Sequence, residues 1–281
     1  MANLCTDRLD ALLNHFPVRA RMFQSGALCG ITDFSAPPES GQMHLIRRGG
    51  MEVLHPGRPS LQVEAPALLF YPRPISRRFV PDAQCGIDLV CAELRFEGGA
   101  ANPIVSALPD FVYLPLTSVD GAQPVLALLF EEAFGDNCGR HPLVDRLFEV
   151  VLIQVLRHLM ENGQIAGGML AGLSHPKLRN ALVAMHEKPE QDWSLESLAR
   201  RAGMSRSIFA STFRLSVGCT PGAYLQSWRI GLAQQALRQG RPLKMIAVEV
   251  GYGSEAALSR AFKHQCGMTP RAWKQTFAVD K

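Results

Sequence analysis

Three cysteines in the first third of the chain carry the side chains best suited to redox chemistry: Cys29, Cys85 and Cys91. A thiolate near positive charge attacks an oxidant and can then form a disulfide with a second thiol. Arg77, Arg78 and Arg95 would supply such charge if the fold brought them close. Buried cysteines, by contrast, behave as inert apolar residues. We therefore treat a redox sensor, with Cys29 paired to Cys91 or Cys85, as one hypothesis.

Catalytic and metal chemistry find less support in the sequence. It contains no nucleophile elbow, no phosphate-binding glycine loop and no HExxH motif, so we expect neither an enzyme nor a cofactor. A metal-binding barrel needs a cluster of histidines and a carboxylate. Here His44 and His55 stand alone, so a metal site remains only an alternative.

Length and composition bound the class of protein. The chain has 281 residues, of which 47% are hydrophobic and 19% charged, which is enough for about two globular domains. No apolar run approaches the ~20 residues of a membrane span, and the first residues do not resemble a signal peptide. Seven cysteines without a CxxC pair favour a reducing compartment, so we expect a cytoplasmic protein.

The charge is divided unequally along the chain. Residues 1–174 contain 13 basic and 18 acidic residues (net −5), whereas residues 175–281 contain 16 basic and 7 acidic residues (net +9). Such asymmetry indicates two modules with different partners, and a basic module favours nucleic acid.

The spacing of apolar residues predicts a different structure in each part. Short apolar stretches between Gly- and Pro-rich turns predict strands of a small barrel, at Met43–Ile46, Met51–Leu54, Ala67–Tyr71, Arg77–Val80 and Gly86–Arg95. Helical spacing begins near residue 124 and dominates after residue 174. The fold class is therefore α+β and multidomain: a sensor domain over 1–161, a Gly-rich linker over 162–174 and an all-α domain over 175–281.

An internal repeat in the last hundred residues is the most informative feature. Gly203 and Gly251 each end a short helix, and Ser205 and Ser254 can cap the helix that follows. In both copies a phenylalanine, then a Gly and a Thr-Pro pair, mark the exit from that helix. A helix, a tight turn and a second amphipathic helix form a helix-turn-helix, so the repeat predicts two such units in tandem.

Helical spacing also separates a buried face from an exposed one in each second helix. We expect Ile208, Phe209 and Phe213 to be buried in the first unit, and Leu258 and Phe262 in the second. The opposite faces, predicted to contact double-stranded DNA, hold the following residues: Arg206, Ser207, Ala210, Ser211, Arg214, Glu255, Ala256, Ser259, Arg260 and Lys263.

Residues 175–276 resemble the DNA-binding domain of AraC/XylS-type transcription regulators. The resemblance extends from the helix before Pro189 through Trp193-Ser194-Leu195, both repeats, Trp228-Arg229 and Val250-Gly251-Tyr252. It implies that the exposed faces read bases and hold phosphates, and that RNA polymerase is a partner. Arg260 is the best candidate for a guanine contact, while Glu255 either accepts from a cytosine amine or complements the helix dipole.

Residues 25–115 resemble the cupin-like barrels of AraC-type regulators, most of all those that sense reactive chlorine species. The residues that carry this resemblance are Cys29, His44-Leu45-Ile46, Gly49-Gly50, Leu69-Phe70-Tyr71-Pro72-Arg73, Cys91, Leu94-Arg95 and Leu108-Pro109. The resemblance implies an activator, regulated by the barrel. Three candidate signals remain: thiol oxidation, a small molecule bound in the barrel, and a metal. The wide apolar stripe of the helix after Pro142 either packs on the barrel or also forms a homodimer seam.

Overall fold

The computed structural model describes residues 7–82, 86–99 and 102–276. It divides into two compact units. Residues 17–165 form one, which we call the barrel unit. The residues before 17, together with those from 166 onward, form the other, which we call the helical unit. None of the described helices is long and apolar enough to cross a membrane.

Among its described residues, the barrel unit consists of two antiparallel sheets, three α-helices and a short 3-10 helix (Leu116–Ser118). Its strands are β1 (Val18–Leu28), β2 (Thr32–Phe34), β3 (Ser40–Arg48), β4 (Gly50–Leu54), β5 (Leu61–Glu64), β6 (Ala67–Tyr71), β7 (Arg77–Pro81), β8 (Ile87–Phe96) and β9 (Val112–Pro115). The strand orders are β1-β8-β3-β6-β9 and β2-β7-β4-β5. Ile46, Phe79 and Leu89 lie in the apolar core and are fully or almost fully buried. All five strands predicted from the sequence are present.

The helices of the barrel unit explain the wide apolar stripe after Pro142. They are α2 (Pro103–Ala107), α3 (Gln123–Phe134) and α4 (Arg140–Glu161), while α1 (Asp10–His15) belongs to the helical unit. The stripe of α4 is buried where α4 packs against β1 and α3. Asp145 and Glu149 of α4 also accept hydrogen bonds from the backbone of β1, at Met22 and Ala20.

In the part that the structure describes, the helical unit contains α1 and eight further helices. These are α5 (Gly168–Ser174), α6 (Leu178–Glu187), α7 (Leu195–Arg201), α8 (Arg206–Val217), α9 (Pro221–Arg238), α10 (Leu243–Glu249), α11 (Glu255–Cys266) and α12 (Pro270–Thr276). The predicted Gly and Ser signals are confirmed. Gly203 and Gly251 adopt φ of +61° and +81°, and the side chains of Ser205 and Ser254 accept from the backbone N–H three residues later.

The domain boundaries differ from those expected. Residues 162–174, predicted to be a linker, contain α5, whose Leu170 and Leu173 are fully buried and which contacts α6 and α8. The close approach is possible because Gly172 has no side chain; a Cβ there would lie 2.6 Å from Leu182 and 2.8 Å from Val217. Four glycines in thirteen residues favoured a linker, but the apolar residues between them pack as a helix.

The core of the helical unit is organised around Trp228 of α9. Its ring stacks on His186 of α6 at 4.0 Å between centroids and meets Phe16 edge-on at 5.2 Å. Nε2 of His186 lies 2.6 Å from the hydroxyl of Tyr224. Burial lowers the pKa of His186 to about 3, with a smaller contribution from His15.

We predict that acid destabilises the helical unit through His186. In the unfolded chain His186 is protonated below about pH 6.5, whereas in the native state it stays neutral down to about pH 3. The free energy of unfolding is therefore highest above pH 6.5 and falls as the pH is lowered. The loss is about 2 kcal/mol at pH 5. Thermal unfolding at pH 7 and pH 5 should show a smaller drop for His186→Phe than for the wild type. His264→Gln, on an exposed residue, should keep the wild-type drop; equal drops in all three would contradict the prediction.

Candidate nucleic-acid interface and barrel cavity

The two predicted helix-turn-helix units are present in the helical unit. In the first, α7 leads through a turn into α8, and in the second α10 leads into α11. Phe209, Phe213 and Val217 are the buried residues of α8, and Leu258 and Phe262 are those of α11. α8 of the first unit and both helices of the second unit contact α9, which joins the two units.

One expected core residue is not buried. Ile208 was predicted to lie in the core, but 56% of its surface is exposed. The buried stripe of α8 runs through positions 209, 213 and 217, so position 208 lies about 100° away around the helix. Ile208 therefore belongs to the same exposed face as Ser211, whose hydroxyl donates to the Ile208 carbonyl.

The ten predicted DNA-contact residues lie on the accessible parts of α8 and α11. Eight are exposed, and Ala210 and Ser259 are half-buried. Four are cations: Arg206, Arg214, Arg260 and Lys263. None of the four pairs with a carboxylate in the part of the chain that the structure describes. Cations without protein partners are available for phosphates or base edges.

Caps at both ends fix where these two helices begin and end. The first N–H groups of α8 and α11 are capped by Ser205 and Ser254, and both helices end at a glycine in the left-handed conformation, Gly218 and Gly267. These caps define the length of each helix, so the exposed faces begin and end at equivalent positions in the two units.

The structure separates the cysteines predicted to act together. Cys91 is opposite Gln24 in the pairing of β1 with β8, whereas Cys29 follows the end of β1, five residues further on. Five residues of strand span roughly 16 Å, and a disulfide requires Cα atoms within about 7 Å. Cys29 and Cys91 are therefore not brought together, and Cys85 lies outside the described residues.

The two cysteines also differ in exposure. Cys29 is exposed and Cys91 is buried. Burial raises the pKa of the Cys91 thiol well above its ordinary value, although Arg77 opposes the shift. Of the two, only Cys29 is accessible to an oxidant without a structural change.

A polar network that sequence analysis did not identify lies inside the barrel unit. Arg77 of β7 is 2% exposed, and its side chain reaches from the four-stranded sheet to the five-stranded sheet. There its Nη2 lies 2.6 Å from Nε2 of His44. The same group donates to Oε1 of Gln42. A guanidinium only donates, so Nε2 of His44 accepts. Nδ1 of His44 then carries the proton and donates to Sγ of Cys91 at 2.9 Å.

Of the two basic groups in this network, only Arg77 carries a charge at pH 7. Burial and the nearby Arg77 hold the pKa of His44 well below its usual value, so His44 is neutral at pH 7. Burial lowers the pKa of Arg77 to about 10, which still leaves the guanidinium charged. The ring of Tyr71 lies 4.0 Å from Cζ of Arg77 and provides a π face for the cation.

A cavity of about 420 Å³ adjoins Arg77, a volume in the usual range for small-molecule sites. It is lined by Asp33, Phe34, Ser35, Leu54, His55, Pro56, Ser76, Arg77 and Arg78. The two histidines considered for a metal have different hydrogen-bond partners. Nε2 of His55 lies 2.9 Å from the hydroxyl of Tyr71, whereas His44 contacts Cys91 and Arg77.

The fold defines a two-domain class of protein, in which a barrel with a ligand-sized cavity accompanies tandem helix-turn-helix units of the kind that enter DNA grooves. Residues 7–161 match the cupin family, and residues 198–276 match a helix-turn-helix domain family. Over residues 7–161 the chain belongs to the cupin family, and overall it is similar to relatives that are named AraC-like transcription regulators.

Three relatives illustrate the similarity. An uncharacterized HTH-type transcriptional regulator of Haemophilus influenzae is 30% identical over 69% of this chain and 64% of its own length. A putative AraC-like transcription regulator of Streptomyces antibioticus is 36% identical over 66% and 63%. The chain thus spans less than two thirds of these two relatives. The RCS-specific HTH-type transcriptional activator RclR of Escherichia coli is 26% identical over 87% of this chain and 89% of its own.

Proposed function

We propose that the protein binds promoter DNA with α8 and α11 and activates transcription in response to a signal received by the barrel unit. The observation that carries the proposal is the pair of exposed helix faces with four cations that have no carboxylate partner among the described residues. The matched relatives are named as regulators, which supports a regulator rather than an enzyme.

The connecting helix sets the spacing of the DNA contacts. The 18 residues of α9 span about 27 Å, and successive major grooves on one face of B-DNA are roughly 34 Å apart. This similarity supports insertion of α8 and α11 into neighbouring major grooves. The operator should therefore contain two sequence blocks about one helical turn apart.

Selection of binding sites from a random duplex library tests this proposal directly. The full chain is expected to enrich duplexes with two blocks separated, centre to centre, by about 10 base pairs. Recovery of no enriched sequence, or of a single block only, would count against a bipartite DNA-binding function.

For the signal, we propose a small molecule bound in the cavity beside Arg77. Support comes from the cavity volume and from the buried polar network that adjoins it. Binding would shift the population of two conformations of the protein. Transcription from the selected operator, measured with and without a ligand found by direct binding, tests this role.

Oxidation of Cys29 is the second candidate signal, favoured by the exposure of this thiol and by the relative named RCS-specific. On this hypothesis, peroxide treatment changes transcription by the wild type, and Cys29→Ser abolishes the response. Cys138→Ser, which alters another exposed thiol, is the matched control. Responses that are equal in wild type and Cys29→Ser would remove this candidate.

We also propose a homodimer that contacts RNA polymerase. Three apolar side chains on α3 and α4 remain about 40% exposed: Leu128, Leu143 and Val150. Leu143 and Val150 are seven residues apart and so share one face of α4. Sedimentation equilibrium of the wild type and of Val150→Glu tests the dimer, and transcription with purified RNA polymerase tests the second contact.

A further inference from the structure

The cation buried beside the cavity lacks a counter-ion in the protein. Nη1 of Arg77 donates to the carbonyl of Ile75 at 2.8 Å, and Nη2 donates to Gln42 and His44. No carboxylate of the described chain pairs with Arg77, and its Nε proton has no acceptor there. A buried charge is costly unless it is paired, so this arrangement requires an explanation.

The acidic residue that lies closest to Arg77 in the strand pairing already has another partner. Asp33 is opposite Arg78 in the pairing of β2 with β7, and its carboxylate accepts from Arg78 at 2.7 and 3.0 Å. Both side chains are exposed, at 68% and 53%. Asp33 and Arg78 therefore neutralise each other at the exposed edge of the cavity, and the charge of Arg77 remains.

The other lining groups are uncharged. Burial, aided by Arg58 and Arg77, lowers the pKa of His55, so this ring is neutral at pH 7. Phe34, Leu54 and Pro56 supply apolar surface, and Ser35 and Ser76 supply hydroxyls. The cavity thus combines one uncompensated buried cation with apolar walls, which is the complement of an anionic head on an apolar body.

We propose that the cavity binds a small organic carboxylate and that Arg77 is the residue that holds its carboxylate group. The Nε proton, unpaired in the protein, donates to one carboxylate oxygen, and the apolar body contacts Phe34 and the neighbouring apolar side chains. This inference rests on the proposed sensor function of the barrel unit and specifies the chemistry of its ligand.

The test compares acids with their neutral amides. Benzoate, phenylacetate, hexanoate and octanoate, each with its primary amide, are added to the full chain, and thermal unfolding is followed. At least one acid is expected to raise Tm while its amide does not. Calorimetric titration of that acid should show binding weakened roughly tenfold or more in Arg77→Gln. It should change by less than about threefold in Arg95→Gln, which alters an exposed arginine of the same unit outside the cavity lining.

Several results would overturn the proposal. They are an amide that stabilises as well as its acid, unchanged acid binding by Arg77→Gln, and a panel in which no acid raises Tm. If inorganic phosphate raised Tm as much as the best acid did, the part of the proposal that specifies an organic ligand would be overturned. If Arg77→Gln does not fold, Arg77→Lys must retain the preference for acids over amides. Gel shifts of the same preparation on the selected operator report DNA binding separately, so failure of the ligand and failure of the regulator are distinguishable.

Discussion

Arg260→Ala is expected to remove most of the preference of the protein for its operator over random DNA. Arg260 is exposed on α11 and makes no ion pair with a described carboxylate. A bidentate contact of arginine with guanine contributes about 1–3 kcal/mol of discrimination, so operator binding should weaken by about 5- to 150-fold and random-DNA binding much less. Gel-shift titrations on both duplexes, each at two salt concentrations, measure this difference.

Lys263→Ala, three residues further along the same face of α11, provides the matched control. Lysine neutralises phosphate without reading sequence, so its loss should weaken operator and random binding by a similar factor. It should also reduce the dependence of affinity on salt by about one phosphate contact. If both variants lost affinity equally on operator and random DNA, Arg260 would hold phosphate only.

Gly251→Ala is expected to destabilise the helical unit by about 3 kcal/mol. Two costs combine at this position. Gly251 has φ of +81°, where an alanine costs about 1–2 kcal/mol. In addition, a Cβ would lie 2.8 Å from the backbone Cα of Glu190 and 2.9 Å from its carbonyl oxygen, and such overpacking typically costs 1–3 kcal/mol.

The repeat supplies the control for that prediction. Gly203 occupies the equivalent turn of the first unit with φ of +61°, but a Cβ there would meet nothing within 4 Å. Gly203→Ala should therefore show only the conformational cost, about 1–2 kcal/mol. Urea unfolding of both variants measures the two losses, and equal values would mean that the contact with Glu190 relaxes at no cost.

The helix-turn-helix units were predictable because their signals are local. A glycine that ends one helix, a serine that caps the next and a phenylalanine at a set distance specify each unit with few residues. Ile208 shows where this reasoning ends. Its neighbour Phe209 aligns with Phe213 and Val217, and apolar character alone does not decide which of two adjacent side chains enters the core.

The barrel cavity was not predicted, because it depends on contacts between distant strands. A sequence signal was nevertheless present. Successive residues of a strand point to opposite faces, so on a strand with one buried face, one of the adjacent Arg77 and Arg78 must point inward. The choice between the two arginines depends on the pairing of β3 with β8 and on how closely the two sheets approach. The same contacts between distant strands place Gln42 and His44 within hydrogen-bonding distance of the inward arginine.

The position of α1 affects how the protein can be divided. Leu12 and Phe16 are almost fully buried in the helical unit, where Phe16 contacts Trp228 and Gly231, although residue 17 already begins the barrel unit. The chain therefore contributes to the helical unit, builds the barrel unit and then returns. A truncated fragment that starts at residue 166 would lack part of its own core, so a fragment that keeps the whole core must be assembled from two separate stretches of sequence.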